Sequence, residues 1–187
     1  MLKLKASVIA GFFLSKSPVD NRALHSYTGI MKQAIFLIGP PGSGKTTWAS
    51  ALLTQGWVHV STDRYVEEAA LSKNVTYGEV FQREIKSAER KMQTLLAEAL
   101  ARGDNIVWDQ TNMTRKSRMK KVSQLTSAGY TVEAHVFMPD STELNARQMK
   151  RAVETGKAIP QRIIDSMLEN YEPPIFDEGF TAIVNHD

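Results

Sequence analysis

The chain has 187 residues, a length that suggests one domain able to bury a hydrophobic core without covalent cross-links. It contains no cysteine, which excludes disulfides, disulfide-linked partners and thiolate metal sites and fits a reducing cytoplasmic location. The net charge of +3 comes from residues 1–30, because residues 31–187 contain equal numbers of basic and acidic side chains. The overall charge is therefore weak evidence for a nucleic-acid partner.

Residues 1–30 precede the first strong structural pattern. Lys3 and Lys5 stand before a short apolar stretch at residues 6–14, which loosely resembles a signal peptide. No A-x-A-like cleavage site follows, and the stretch is too short to span a membrane. We therefore expect residues 1–30 to be a flexible or irregular extension, with Met31 a natural start of a domain at 31–187 that has no membrane contact.

From residue 33 onward, short apolar strands alternate with helical patterns. The predicted strands are residues 33–38, 57–60, 105–108, 131–137 and 181–184. The predicted helices are residues 45–53, 79–101, 114–127, 141–153 and 160–171, and a further helix is expected after Asp63. This alternation predicts an α/β fold with a central parallel sheet of about five strands flanked by helices. Ligands on such sheets bind at the carboxyl ends of the strands.

A glycine-rich segment directly after the first strand is the strongest signal in the sequence. Residues 39–46 read GPPGSGKT and match the pattern G-x-x-x-x-G-K-[ST], between a predicted strand and a predicted helix. Such a loop directs backbone N–H groups and the helix N-terminus at phosphate oxygens. We predict that Lys45 reaches the β and γ phosphates of ATP or another nucleoside triphosphate and that Thr46 ligates Mg²⁺. The predicted nucleotide-binding residues of this segment are Gly39, Pro40, Pro41, Gly42, Ser43, Gly44, Lys45, Thr46 and Thr47.

Two carboxylates follow later strands. Asp63 lies in the segment STDRY, where it could accept the proton of an attacking hydroxyl; the alternative is that Thr62 or Asp63 caps the next helix. Asp109 ends the apolar strand of residues 106–108, an arrangement that delivers a carboxylate to a metal ion. The residues after Asp109 could hold the metal shell or the acceptor, or could form a polar turn that caps a helix: Gln110, Thr111 and Asn112.

Basic side chains cluster in two later segments. Five cations occur in residues 115–121, of which Arg115 and Arg118 lie three apart and could point together toward an acceptor; the alternative is a solvated helix face. Arg147 and Arg151 lie four apart on one helix face, before a flexible stretch with Gly156. This second segment is typical of a helical lid whose arginines bind nucleotide and neutralise charge on the transferring phosphoryl group, although ordinary surface charge pairing would look similar.

Taken in order, these motifs resemble the kinase domain of bacteriophage-type 5′-polynucleotide kinases, within the AAA-like P-loop kinases. The resemblance covers about residues 31–174 and rests on GPPGSGKTTWA, STDRY, DQTN with Arg118 downstream, and RQMKRAVETGKAIP. It implies that Lys45 and Thr46 bind nucleotide phosphates and magnesium, that Asp63 is the general base, and that Arg151 is the lid arginine. It also implies an acceptor pocket formed with Gln110, Thr111, Asn112 and Arg118. Arg64, next to the base, and Arg115, three residues before Arg118, complete the predicted acceptor-binding residues.

The sequence departs from this pattern at the acceptor side. The family often carries an arginine three residues after the base, where this chain has Val66, and the segment after Arg151 is a few residues longer than usual. No D-x-D-G-T phosphatase motif occurs, so no 3′-phosphatase activity is expected. The resulting hypothesis is a kinase for the 5′-hydroxyl of DNA or RNA. The alternatives are a phage kinase for 5-hydroxymethyluracil in DNA, a small-molecule kinase, or a nucleotide-gated binding module.

Overall fold

The computed structural model describes residues 32–186, and the predicted extension at residues 1–30 lies outside the described residues. The first strand, β1, spans Lys32–Ile38 and is buried over its last five residues. The other strands are β2 (Val58–Val60), β3 (Ile106–Asp109), β4 (Tyr130–Phe137) and β5 (Ala182–His186). All pairings are parallel, in the order β2-β3-β1-β4-β5, so β1 lies at the centre of the sheet. The predicted five-stranded parallel sheet is confirmed.

Six α-helices connect and flank these strands within the described residues. They are α1 (Lys45–Thr54), α2 (Thr62–Lys73), α3 (Tyr77–Arg102), α4 (Arg115–Ser127), α5 (Ser141–Thr155) and α6 (Gln161–Glu169), and a short 3₁₀ turn spans Phe176–Glu178. Local signals explain several boundaries: Thr76 and Glu79 form a capping box at the start of α3, and Asp140 accepts backbone hydrogen bonds from Thr142 and Glu143 at the start of α5. Most boundaries lie within two residues of the predicted ones.

The helices cover both faces of the sheet, as the unbroken apolar character of its strands requires. Alternate residues of β1 enter two separate cores. Phe36 and its same-face neighbours pack with Met92 and Leu96 of α3 and with α4, whereas Leu37 packs with Ala49 of α1 on the opposite face. None of the helices among residues 32–186 is long and apolar enough to cross a membrane.

The strand register brings the ends of three strands to the same edge of the sheet. Leu37 of β1 pairs with Asp109 of β3, and Val60 of β2 pairs with Trp108. The glycine-rich loop, the segment after β2 and the segment after β3 therefore leave the sheet at the same edge. Gly39 N–H, in addition, donates to the carbonyl of Thr111 at 3.0 Å, which ties two of these segments together.

Candidate active site

The loop between β1 and α1 has the backbone of a phosphate-binding loop. Gly42 and Gly44 adopt φ values of 79° and 98°, and Gly39 adopts 152°, a region that side chains with a Cβ rarely enter. A Cβ on Gly39 would also collide with the backbone carbonyl oxygen of Phe137. Glycine is required at position 39 for both reasons. A loop with this backbone can turn its N–H groups toward an anion at the start of α1.

Lys45 is buried beneath this loop. Its ammonium donates to the carbonyls of Gly39 at 2.9 Å and Pro40 at 2.8 Å, and to Ser43 Oγ at 3.3 Å. Burial lowers the pKa of Lys45 to about 8, and the charges of Asp109 and Asp63 oppose that effect. Because both carboxylates influence this amine, the loop, the end of β3 and the start of α2 share one electrostatic environment.

Thr46 and Asp109 form the candidate metal side of the site. Thr46 Oγ1 donates to Asp109 Oδ2 at 2.6 Å, and His59 Nε2 lies 3.0 Å from the same oxygen. Burial would raise the pKa of Asp109, but hydrogen bonds from His59 and Thr46 and the charge of Lys45 together hold it below its usual value. An ionised carboxylate beside a hydroxyl suits Mg²⁺, which is commonly held by one or two protein oxygens plus substrate phosphates. Among the described residues, no cluster of three or more metal-ligating side chains occurs.

Asp63 lies in the first turn of α2 and lines the same cleft. Its two carboxylate oxygens accept hydrogen bonds from Tyr77 at 2.9 Å and from Lys157 at 2.6 Å. The Asp63 side chain is nevertheless 49% exposed. Asp63 is therefore held by neighbours yet open toward the cleft.

The cleft itself has a volume of about 1230 Å³ and brings together most of the predicted residues. It is lined by residues 41–47, Asp63, Arg64, residues 109–112, Arg147 and Arg151. Gly39 and Pro40 lie beneath it, where their carbonyls accept from Lys45. Seven cationic and four acidic side chains line the cleft, so it favours anions.

The predicted lid helix α5 lies against the phosphate-binding loop. Arg147 Nη1 donates to the carbonyl of Ser43 at 2.9 Å, and Gln148 donates to the carbonyl of Pro41. Arg151 faces the cleft and lies 3.8 Å from Glu67 Oε1. The two arginines predicted from their spacing therefore do share a face, and that face lies toward the loop.

The prediction that Arg115 and Arg118 point together toward an acceptor is wrong. The Arg118 side chain is fully buried and forms a two-pronged ion pair with Glu178, with distances of 2.8 and 2.7 Å. Arg115 is exposed and lines a separate surface groove with Lys116 and Lys120. Residues three apart on a helix need not share an environment when the boundary between core and surface runs between them.

Several residues in the cleft or in contact with it are not predicted from the sequence. Lys121, from the same basic run, reaches Gln110 Oε1 at 2.7 Å and Asn112 Oδ1 at 2.8 Å, and burial lowers its pKa to about 8. Lys157 and Tyr77 contact Asp63, and His59 contacts Asp109. The only sequence feature that could have indicated a site role for His59 is its position as a polar residue within an apolar strand. No local sequence feature indicates a role for Tyr77.

The parallel sheet, the phosphate-binding loop and the flanking helices define a P-loop kinase-like fold. The chain belongs to the AAA domain family, whose model matches residues 35–174. A curated relative, transcription factor bHLH140 of Arabidopsis thaliana, is 26% identical over 156 residues. That match covers 80% of this chain but only 15% of the relative.

Three solved structures share the fold at low sequence identity. A candidate kinase from Chloroflexus aurantiacus has a TM-score of 0.62 at 17% identity, covering 85% of this chain and 87% of that one. The PezAT chromosomal toxin–antitoxin system of Streptococcus pneumoniae has a TM-score of 0.62 at 20% identity, covering 90% and 73%. Shikimate kinase from Acinetobacter baumannii in complex with shikimate has a TM-score of 0.51 at 16% identity, covering 89% and 88%.

Proposed function

We propose that this chain is an ATP- and Mg²⁺-dependent kinase that transfers the γ-phosphate to a nucleic-acid hydroxyl, namely the 5′-hydroxyl end of DNA or RNA. The observation that carries the proposal is one cleft with donor chemistry on one side and a half-exposed carboxylate on the other. Lys45, Thr46 and Asp109 form the donor side, and Asp63 forms the acceptor side. A simple nucleotide-gated binding module has no need for a carboxylate in that second position.

The residues of the cleft supply the parts that phosphoryl transfer requires. Asp63 accepts the proton of the acceptor hydroxyl as that oxygen bonds to the γ-phosphorus and the bond from phosphorus to the β–γ bridging oxygen breaks, releasing ADP. Lys45 and Arg151 neutralise charge on the transferring group. Thr46 and Asp109 would hold Mg²⁺, which when bound supplies positive charge beside the phosphates.

The nucleic-acid acceptor is supported by the motif order and by the character of the cleft. Cationic side chains outnumber acidic ones along a cleft of about 1230 Å³, which leaves room for a polyanionic acceptor beside the nucleotide. Arg64 is 43% exposed at the acceptor side and pairs with Glu68 at 3.0 Å. Gln110, Thr111 and Asn112 also line the cleft and offer polar groups to the acceptor.

Two alternative acceptors are favoured by particular observations. A small hydroxyl compound fits the finding that Arg118 is fully buried, because one of the cations expected to bind a nucleic-acid phosphate is then not available. An internal base such as 5-hydroxymethyluracil fits the presence of Val66 three residues after Asp63. This side chain is apolar and buried, so the position offers no cation for a terminal nucleotide.

One assay distinguishes these acceptors. The protein is incubated with Mg²⁺ and γ-labelled ATP and a panel: 5′-hydroxyl oligonucleotides, hydroxymethyluracil DNA blocked at its 5′ ends, and small sugars, polyols and nucleosides. We expect label on the 5′-hydroxyl oligonucleotides. Label only on the blocked DNA, or only on small compounds, would replace the proposed acceptor by the corresponding alternative.

The base assignment has its own test. Asp63→Asn keeps the size of the side chain but removes the proton acceptor, so transfer should fall by about 100-fold or more while ATP binding stays largely intact. Asp177→Asn, an exposed position outside the cleft, is the matched control. Full activity of Asp63→Asn would show that another group takes the proton.

A further inference from the structure

A buried lysine reaches the proposed base from the segment between α5 and α6. Lys157 is only 2% exposed, and its ammonium lies 2.6 Å from Asp63 Oδ2 and 2.9 Å from Glu67 Oε1. The same ammonium lies 4.1 Å from the ring centroid of Tyr77. A buried lysine costs free energy unless such partners surround it, so its position is closely determined by this cluster.

Tyr77 holds the other oxygen of the same carboxylate. Its hydroxyl donates to Asp63 Oδ1 at 2.9 Å from the first position of α3. Burial, followed by the negative charge of Asp63, raises the pKa of Tyr77 well above its usual range. The phenol therefore remains protonated at neutral pH and remains a hydrogen-bond donor. Its ring is fixed in turn against Phe81, with 5.5 Å between ring centroids.

Asp63 is thus held from two sides without being closed off. A carboxylate has about four acceptor positions, so two donors leave about two for an incoming hydroxyl. The half-exposed side chain provides the access that such a hydroxyl needs. Two fixed donors remove rotational freedom from the carboxylate, and correct orientation of a proton acceptor is worth a large factor in rate.

We infer that Lys157 and Tyr77 are positioning residues that hold the Asp63 carboxylate toward the acceptor hydroxyl. The inference rests on the proposed function, since Asp63 must be the proton acceptor for its orientation to matter. It also links two parts of the site. Arg151 lies in α5, and Lys157 lies in the segment directly after α5. Neighbouring parts of the chain would therefore place an arginine on the transferring phosphoryl group and orient the base.

The test measures kcat, the acceptor KM and the ATP Kd for Lys157→Met and Tyr77→Phe with the acceptor that the wild-type chain labels. Tyr77→Phe removes one hydroxyl and keeps the ring, so it carries the test even if replacement of the buried lysine disturbs folding. There are two matched controls. Lys86→Met changes an exposed position of α3 outside the cleft. Tyr130→Phe removes a hydroxyl that donates a hydrogen bond to the backbone carbonyl of Asp104. Thermal unfolding of every variant is recorded in parallel.

We expect kcat to fall about 10- to 100-fold in Lys157→Met and about 3- to 10-fold in Tyr77→Phe. In Tyr77→Phe the ATP Kd should stay within about twofold, because that hydroxyl lies outside the donor side. Lys157→Arg, which restores a cation, should recover part of the lost rate.

Two results would overturn this inference and leave the proposed function intact. One is a wild-type kcat in Tyr77→Phe. The other is a fall in kcat that is accompanied by a similar fold-loss of ATP affinity and by a lower melting temperature. The second result would mean that the cluster only ties α2, α3 and the α5–α6 segment together. A wild-type chain that labels no acceptor would overturn the proposed function and this inference with it.

Discussion

Replacement of Arg118 by methionine should destabilise the fold rather than weaken acceptor binding. The guanidinium is fully buried, donates twice to Glu178 and donates to the carbonyls of Asn112 and Met113 at 3.0 and 3.2 Å. Arg118→Met retains much of the apolar volume but leaves the Glu178 carboxylate buried without its ion-pair partner. The free energy of unfolding should therefore drop measurably.

The expected size of this effect follows from the burial of the pair. Removing one partner of a buried ion pair costs about 3–5 kcal/mol. For a domain of this length each kcal/mol lowers Tm by about 2–4 °C, so the melting temperature should fall by about 6–20 °C. Replacing both partners by apolar residues is often much less costly, and the double variant Arg118→Met, Glu178→Leu should recover a large part of the loss.

Urea and thermal unfolding measure the loss, and kinetics below the melting range of every variant measure the acceptor KM. Arg115→Met is the matched control, since its side chain is exposed and a surface change of this kind stays within about 0.5 kcal/mol. An Arg118→Met variant with the wild-type melting temperature and a much higher acceptor KM would refute the reasoning. Arg118 would then contact the acceptor, as the motif resemblance implies.

Three further predictions concern the donor side. Gly39→Ala should destabilise the chain by several kcal/mol and abolish ATP binding, because the new Cβ meets the Phe137 carbonyl. Gly78→Ala, in the first turn of α3 with open space around it, should instead raise the free energy of unfolding by about 0.5–1 kcal/mol. The pKa of Lys45 is about 8 in the free protein, so its amine loses the proton above that pH. The ATP affinity measured by calorimetry should therefore be about tenfold weaker at about pH 9 than at about pH 7. An affinity that does not change with pH would mean that Lys45 does not bind the phosphates as a cation. Asp109→Asn should raise the Mg²⁺ concentration for half-maximal transfer by about 10-fold or more with little change in Mg²⁺-free nucleotide affinity, and an unchanged Mg²⁺ titration would remove Asp109 from the metal site.

The sequence alone predicts the sheet and the phosphate-binding loop because their signals are local. Each strand is a short apolar run bounded by turn residues, and the loop requires glycine at defined positions regardless of distant neighbours. Asp63 and Asp109 were predictable for a similar reason. Asp109 ends β3 and Asp63 comes three residues after β2, and the carboxyl ends of parallel strands meet at one edge of the sheet.

Only the tertiary structure decides which cations serve the site. The basic run of α4 could be assigned to a helix but not oriented, because helical spacing shows which residues share a face and not which face packs on the core. Packing against Glu178 buries Arg118, while Lys121, three residues later, reaches the cleft. Lys157 is separated from Asp63 by 94 positions, and their contact depends on how the segment after α5 packs against the start of α2. Such a contact leaves no pattern in the chain, because nothing in the local sequence of either residue specifies a partner so distant.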